Sequence, residues 1–136
     1  MIVADTSAWV ALFRGRGDPV AAELKSRLQQ RERTLITDVI LAEVLQGARS
    51  EEHAAELAAH LERFSVLRLR NLDDFRRAAA LYRTARRAGI TLRGTVDCLI
   101  ASVCIRDGLP LLHADADFDR LASVSPLRTV TVRSGT

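Results

Sequence analysis

The chain has 136 residues, 20 of them basic and 17 acidic, and a formal net charge of +3. This length suits a single domain over residues 1–136 that buries enough surface to need no disulfide. No run of residues reaches the length of a membrane span and no secretory leader is recognisable, so we expect a cytoplasmic protein without membrane contact. The basic residues are arginines except Lys25. This bias indicates either a polyanionic partner or the base composition of the genome.

The first seven residues predict a buried parallel strand that ends at Asp5. Ligands of open α/β sheets bind at the carboxyl ends of the strands, so an acid at this position faces a crevice. Thr6 or Ser7 is expected to cap the helix that follows. Taken alone, Asp5 is equally consistent with a capping acid, and only similar acids further along the chain favour a functional role.

The second acid, Glu43, lies on a helix that is apolar almost all round. Before it, Asp18 and a proline begin a helix that runs to about Arg31, and a short strand spans residues 33–36. Thr37 or the aspartate after it caps the next helix, which extends to about residue 48. A carboxylate on such an apolar face must be paired, neutralised or metal-bound. A metal site is the favoured interpretation, and a salt bridge to an arginine is the alternative.

Two more helices follow, with a strand over residues 65–69 between them. The first, residues 51–63, is amphipathic, and we expect its two histidines to be exposed. The second spans residues 72–88 and stops at Gly89. Its predicted core stripe consists of Leu72, Phe75, Ala79 and Tyr82. A separate stripe of Arg76, Arg83 and Arg87, aligned within about 40°, is either a phosphate-binding surface or an ordinary solvated face.

The third and fourth acids come near the end of the chain. Asp97 lies in the first turn of an apolar helix over residues 96–105, where backbone N–H groups favour an anion. Thr95 is the better-placed cap, which leaves Asp97 free to face the crevice. A strand over residues 109–112 then leads to Asp115, which repeats the setting of Asp5. Residues 129–132 predict an edge strand.

Clustered carboxylates are the chemistry that this sequence favours. A calcium loop counted from Asp115 would need Gly and Glu where Arg120 and Pro126 stand, and no zinc-type spacing or Gly-rich phosphate loop occurs. Four ionised carboxylates at one crevice repel each other by roughly 3–4 kcal/mol per close pair. They require hard divalent cations such as Mg²⁺ or Mn²⁺. Such a site activates water at a phosphate, so phosphodiester hydrolysis is the leading hypothesis.

Four segments of the chain, residues 4–9, 41–47, 96–101 and 112–118, resemble the motifs of PIN-domain ribonucleases. In particular, their order and spacing resemble the VapC toxins of bacterial type II toxin–antitoxin modules. The resemblance implies a single PIN domain with a three-layer α/β/α fold around a central parallel sheet. It also implies a Mg²⁺-dependent endoribonuclease acting on RNA such as tRNA or rRNA, a homodimer, and a hetero-oligomer with an inhibitory VapB-type antitoxin.

The same resemblance implies roles for individual residues. The acidic quartet that binds the metal and activates water matches Asp5, Glu43, Asp97 and Asp115. Accessory positions match Asp117 and the hydroxyl of Thr6 or Ser7. His113 departs from the pattern, because relatives often carry Thr or Asn there, and this leaves the local hydrogen bonding open. The arginines expected to position the RNA backbone are Arg76, Arg83, Arg87 and Arg93.

Two alternatives compete with a ribonuclease. Phosphatases that form an aspartyl phosphate also use an Asp after the first strand, but they need a second Asp where this chain has Ser7. A degenerate PIN domain could serve as an RNA- or partner-binding scaffold. Four mutually repelling acids argue against the scaffold, because it has no use for them.

Overall fold

A four-stranded parallel sheet forms the centre of the protein, whose computed structural model describes residues 1–130 and residue 132. The strands are β1 (Ile2–Ala4), β2 (Thr34–Thr37), β3 (Ser65–Leu67) and β4 (Leu111–Leu112). Their order across the sheet is β3-β2-β1-β4, and every pair is parallel. The two central strands are buried over their whole length, as expected for strands covered on both faces.

Seven helices connect and flank the strands in the described part of the chain. They are α1 (Thr6–Arg14), α2 (Pro19–Gln29), α3 (Asp38–Gln46), α4 (Glu51–Leu61), α5 (Leu72–Arg87), α6 (Val96–Asp107) and α7 (Ala116–Ala122). Crossovers between parallel strands are right-handed. The chain moves from β1 to β3 in one direction and returns to β4 in the other, so α1–α4 and α5–α6 cover opposite faces. The predicted three-layer α/β/α fold is confirmed.

The direction of the connections reverses between β1 and β4, and this reversal creates a crevice at the carboxyl ends of the two strands. Asp5 follows β1 directly, and its backbone N–H donates to the carbonyl of Leu112 at 2.9 Å. Asp115 lies three residues beyond the end of β4 and begins α7. The first and fourth acids of the sequence are therefore brought to the same crevice by sheet topology.

The helix caps differ from the predictions at two places. Asp5 itself caps α1, because its carboxylate accepts the N–H of Ser7; the prediction that Thr6 or Ser7 caps this helix was wrong. Thr95 occupies the cap position of α6 but makes no side-chain hydrogen bond there, so its predicted capping role was also wrong. In contrast, Thr37 caps α3 by accepting the N–H of Ile40 at 2.9 Å, as predicted.

The core stripe predicted for α5 was wrong by about one position. Leu72 and Phe75 are 67% and 47% exposed, Ala79 is exposed and Tyr82 is only partly buried. The buried residues of α5 are instead Asp74, Ala78, Leu81 and Ala85. This face begins at Asp74, whose carboxylate accepts hydrogen bonds from Arg106 on α6 and from the backbone N–H of Arg70. It can be buried although it begins with an acid, because these donors satisfy the carboxylate, and Ala78, Leu81 and Ala85 continue it at helical spacing.

The predicted edge strand over residues 129–132 is reduced to one parallel bridge between Thr129 and Leu111, and Thr131 lies outside the described residues. Both histidines of α4 have packing roles that the sequence did not predict. His53 is half-buried and accepts the N–H of Arg49, and the exposed His60 ring contacts Phe13 edge-on. None of the described helices is long and apolar enough to cross a membrane.

Candidate active site

Asp5 is held at the mouth of the crevice by Ser7. Its Oδ2 accepts the N–H of Ser7 at 3.0 Å and the hydroxyl at 2.6 Å. The Ser7 oxygen in turn accepts the backbone N–H of Ala114, beyond β4, at 2.9 Å. Asp5 is almost fully buried, and this burial raises the pKa of its carboxyl although the Ser7 hydrogen bonds oppose the shift. Asp5 thus caps α1 and also lines the crevice.

Glu43 reaches the same crevice from the middle of α3. The buried side chains of this helix, Ile40 and Val44, fix it against the core and leave Glu43 half-buried. Its Oε1 accepts the hydroxyl of Thr6 at 2.8 Å. Burial raises the pKa of Glu43, and the charges of Asp5 and Asp115 raise it further. The acid predicted from the apolar helix is therefore placed beside Asp5 and is paired with a hydroxyl rather than with an arginine.

Asp97 is a third acid of the cleft whose pKa is strongly raised. It lies in the first turn of α6 and is half-buried. Burial, followed by repulsion from Asp115, Asp5 and Glu43, raises its pKa to about 7. Burial and neighbouring acids thus act together on this carboxyl, and perturbed groups of this kind mark functional sites.

Asp115 and Asp117 complete the acidic cluster at the start of α7. The Oδ1 of Asp115 accepts the N–H of Asp117 at 2.9 Å and so caps the helix. Asp117 is buried, and Arg120 donates to its Oδ1 at 2.6 Å. Arg93 donates to Oδ2 of Asp115 at 3.0 Å and lies 3.6 Å from Oδ2 of Asp117. Two arginines therefore neutralise part of the cluster's charge.

His113 supports the segment that carries Asp115, and its contacts show the local hydrogen bonding that the sequence left open. Its Nδ1 accepts the backbone N–H of Asp115 at 3.1 Å, so this nitrogen carries no proton. The other ring nitrogen, Nε2, lies 3.4 Å from the carboxylate of Asp119, and the buried ring packs on Phe118. His113 fixes the backbone that presents Asp115.

The four predicted acids line a single cleft of about 590 Å³. Carboxylate oxygens of Asp97, Asp115 and Asp117 lie within 4.8 Å of one another, close enough for one cation to contact all three. Mg²⁺ and Mn²⁺ prefer such oxygen ligands, so this donor set fits a hard divalent ion. Asp117, which the sequence assigned an accessory position, belongs to this closest trio.

The predicted arginines separate into two groups. Arg93 lies in the cleft. Arg76, Arg83 and Arg87 are exposed on α5, where Arg76 pairs with Asp73 at 2.8 Å, and none of the three lines the cleft. Sequence reasoning missed Arg14 and Arg120. Arg14 was recognisable in principle, because it lies seven residues after Ser7 on the helix face that also lines the cleft.

Comparison with known proteins agrees with this architecture. The family model described as the PIN domain matches residues 2–124. The chain therefore belongs to the PIN-domain family, and the recognition made from its acidic motifs is confirmed.

Within this family, the chain is 40% identical over 134 residues to the VapC ribonuclease Mb1587 of Mycobacterium bovis and to ribonuclease VapC11 of Mycobacterium tuberculosis. In both cases the match covers 98% of this chain and 100% of the relative.

Solved structures share the fold at lower sequence identity. VapBC2 of Rickettsia felis, bound to a promoter DNA fragment, has a TM-score of 0.74 at 19% identity over 96% of this chain and 98% of the other. A toxin–antitoxin complex from Klebsiella pneumoniae has a TM-score of 0.72 at 20% identity over 96% and 97%. The sarcin–ricin-loop-cleaving toxin VapC20 of Mycobacterium tuberculosis has a TM-score of 0.68 at 20% identity over 94% and 99%.

Proposed function

We propose that this protein is a Mg²⁺-dependent endoribonuclease toxin of the VapC type, a single PIN domain over residues 1–136 that acts in the cytoplasm. The observation that carries the proposal is the convergence of Asp5, Glu43, Asp97 and Asp115, each from a different element, on one cleft at the switch point of the sheet. The relatives with 40% identity are named ribonucleases. Both lines of support lead to hydrolysis of RNA phosphodiester bonds.

The carboxylates of Asp97, Asp115 and Asp117 are the residues that would hold Mg²⁺, with Mn²⁺ as a substitute, and Asp5 would complete the shell. A bound divalent ion lowers the pKa of water and stabilises the charge that develops on the scissile phosphate. Ser7 would keep the Asp5 carboxylate aimed into the cleft through its two hydrogen bonds. The raised pKa of Asp97 is consistent with a site built for added positive charge.

Glu43 would hold the attacking water and accept its proton. Its raised pKa makes it a stronger base than an ordinary glutamate, and the Thr6 hydroxyl fixes its Oε1. The family resemblance implies products with 5′-phosphate and 3′-hydroxyl ends. Arg93 would contact the RNA backbone at the cleft, and Arg76, Arg83 and Arg87 would contact it further away without selecting sequence.

The substrate is proposed to be a structured RNA, tRNA or rRNA, cut in an unpaired loop. RNA recognition with sequence preference targets single-stranded loops whose bases can be splayed out. One protein of the same fold is described as cleaving the sarcin–ricin loop.

The protein is also proposed to form a homodimer and a hetero-oligomer with a VapB-type antitoxin. Structural neighbours were solved as VapBC or toxin–antitoxin complexes. On this chain, Leu72 and Phe75 remain 67% and 47% exposed on the outer face of α5. Exposed apolar side chains that lie close together on one surface are candidates for protein contacts.

Cleavage of total RNA by the purified protein tests the proposed activity. We expect discrete cuts in Mg²⁺ or Mn²⁺ that disappear with a chelator and in the Asp97→Asn variant. Glu56→Gln is the matched control, because this exposed acid lies on α4 and does not line the cleft. Absence of both cleavage and Mn²⁺ binding in the wild-type protein would instead support a binding scaffold.

A further inference from the structure

Arg93 contacts two of the carboxylates that are placed to share a metal ion. Its Nη2 donates to Oδ2 of Asp115 at 3.0 Å, and its Nε lies 3.6 Å from Oδ2 of Asp117. Asp115 and Asp117 are two of the three carboxylates close enough to share a cation. A divalent ion bound to these same Oδ2 atoms would repel the guanidinium of Arg93, so the two cations compete for them.

The backbone at Arg93 is anchored, whereas its side chain is exposed to solvent. The preceding Leu92 is buried in the core, so the backbone of this connection between α5 and α6 is anchored. The Arg93 side chain is 81% exposed. Exposed ion pairs are weak because water solvates both partners well. The guanidinium can therefore leave the carboxylates by side-chain rotation alone.

A second groove lies next to the cleft, and the Arg93 guanidinium could move into it. Arg93 lines the cleft of the four acids and also a neighbouring groove of about 790 Å³. The groove passes along the residues that precede α6 and the start of α7, and Arg120 lies on its wall. A chain of phosphates that runs from the cleft into this groove would pass Arg93 and Arg120 in turn.

We infer that Arg93 neutralises Asp115 and Asp117 in the metal-free protein and that a divalent metal ion would displace it from these carboxylates. The displaced guanidinium then contacts the RNA phosphate next to the scissile one. This inference rests on the proposed metal-dependent activity. Arg93 thereby couples the two events: the cleft gains its full affinity for RNA only after the metal has released the guanidinium. Arg120 remains on the opposite oxygen of Asp117, where it supports the carboxylate.

Calorimetric titration with Mn²⁺ tests the displacement without any reliance on activity. Arg93→Gln removes the competing charge, so we expect it to bind Mn²⁺ about twofold to fivefold more tightly than the wild-type protein, as the small free energy of an exposed pair allows. Arg63→Gln is the control, because Arg63 is exposed and lies outside both grooves. Equal or weaker Mn²⁺ binding by the Arg93→Gln variant overturns the inference.

Binding of a labelled single-stranded RNA tests the release. We use the Glu43→Gln background, in which cleavage is suppressed, and compare Mn²⁺ with chelator. Arg93→Gln should weaken RNA binding in Mn²⁺ by about twofold to fivefold, in the range of an exposed ion pair, and should leave binding in chelator unchanged. An equal loss in both conditions would overturn the exchange. If the wild-type protein binds no Mn²⁺ at all, the proposed function fails along with the inference; if it binds Mn²⁺ and cleaves RNA, only the inference is at stake.

Discussion

The hydroxyl of Thr6 donates a hydrogen bond of 2.8 Å to Oε1 of Glu43 and so joins the first turn of α1 to the middle of α3. Thr6 directly follows Asp5, so one short segment positions two acids of the cleft. The hydrogen bond also opposes the rise in the pKa of Glu43 that burial causes. Thr6 therefore sets both the direction and the basicity of the proposed general base.

Replacement of Thr6 by Val keeps the shape of the side chain and removes the donor. We expect cleavage to slow by about tenfold, the usual scale for losing a hydrogen bond to a charged group. The pKa of Glu43 should rise further, so the acidic limb of the pH–rate profile should move to higher pH. Thr6→Ser retains the hydroxyl and serves as the control, with a rate close to wild type. A Thr6→Val enzyme with an unchanged rate and profile would remove Thr6 from the site.

The raised pKa of Asp97 predicts that the metal-free protein loses stability as pH rises. The pKa of this carboxyl is near the ordinary aspartate value of 3.8 in the unfolded chain and is raised to about 7 in the folded protein. Between these values the folded state binds more protons than the unfolded state, so the free energy of unfolding decreases with increasing pH. The raised pKa values of Asp5 and Glu43 act in the same direction.

Thermal unfolding in chelator should therefore show a higher Tm at pH 5 than at pH 8. Asp97→Asn should make this slope shallower, because the variant has no carboxyl at position 97 to titrate, and Asp5 and Glu43 account for the slope that remains. Mn²⁺ should raise the Tm of the wild-type protein more at pH 8 than at pH 5, since it binds the ionised cluster. A wild-type Tm that is constant or increases over this range contradicts the prediction.

The acidic cleft could be predicted from sequence because each acid stands at a position with a simple physical meaning. Asp5 and Asp115 follow buried strands, Asp97 opens an apolar helix, and Glu43 interrupts an apolar face. Parallel strands bring their carboxyl ends together, so these local signals converge without knowledge of distant contacts. The same reasoning could not rank Asp117 within the cluster, because its contacts with Arg93 and Arg120 depend on how α7 packs.

The orientation of α5 could not be predicted in this way. Its apolar residues Leu72 and Phe75 suggested one inward face, whereas the helix buries Asp74 on another. The partner that makes this burial tolerable is Arg106, 32 residues further along the chain, which a hydropathy pattern cannot reveal. The buried face also carries Ala78, Leu81 and Ala85 at helical spacing, so the sequence allowed two neighbouring faces, and the donors to Asp74 make the one with the acid tolerable in the core.

Removal of the Asp74 carboxylate should destabilise the fold rather than impair the chemistry. Asp74 is 1% exposed and pairs with Arg106, whose side chain is only 13% exposed. Asp74→Ala removes one of the two carboxylates that pair with Arg106, which keeps Asp107, and it leaves the backbone N–H of Arg70 without its acceptor. We expect a loss of about 2 kcal/mol of unfolding free energy, the scale for a buried hydrogen bond to a charged group. Chemical denaturation checks this value. The neighbouring Asp73 is 58% exposed, and Asp73→Ala should change stability by less than about 0.5 kcal/mol. Equal effects of the two substitutions would contradict this role of Asp74.

Ser7 connects the ends of the two strands that frame the cleft. Its hydroxyl donates to Asp5 after β1 and accepts the N–H of Ala114 after β4. Both contacts fix the carboxylate of Asp5 relative to the segment that carries Asp115. Loss of a group that hydrogen-bonds a metal ligand typically lowers metal affinity by about tenfold to a hundredfold.

Ser7→Ala should therefore weaken Mn²⁺ binding by about tenfold, within the range seen for groups that support metal ligands. The loss arises because Asp5 keeps only backbone support and the N–H of Ala114 loses its acceptor. Ser50→Ala is the matched control: Ser50 caps α4 by accepting the N–H of His53 at 3.0 Å, far along the chain from the cleft. That variant should lose about 1 kcal/mol of stability and retain its affinity for Mn²⁺. Calorimetry and denaturation of both variants separate the two effects, and a Ser7→Ala protein that is merely less stable, with unchanged Mn²⁺ binding, would show that Ser7 holds the strands together without tuning the site.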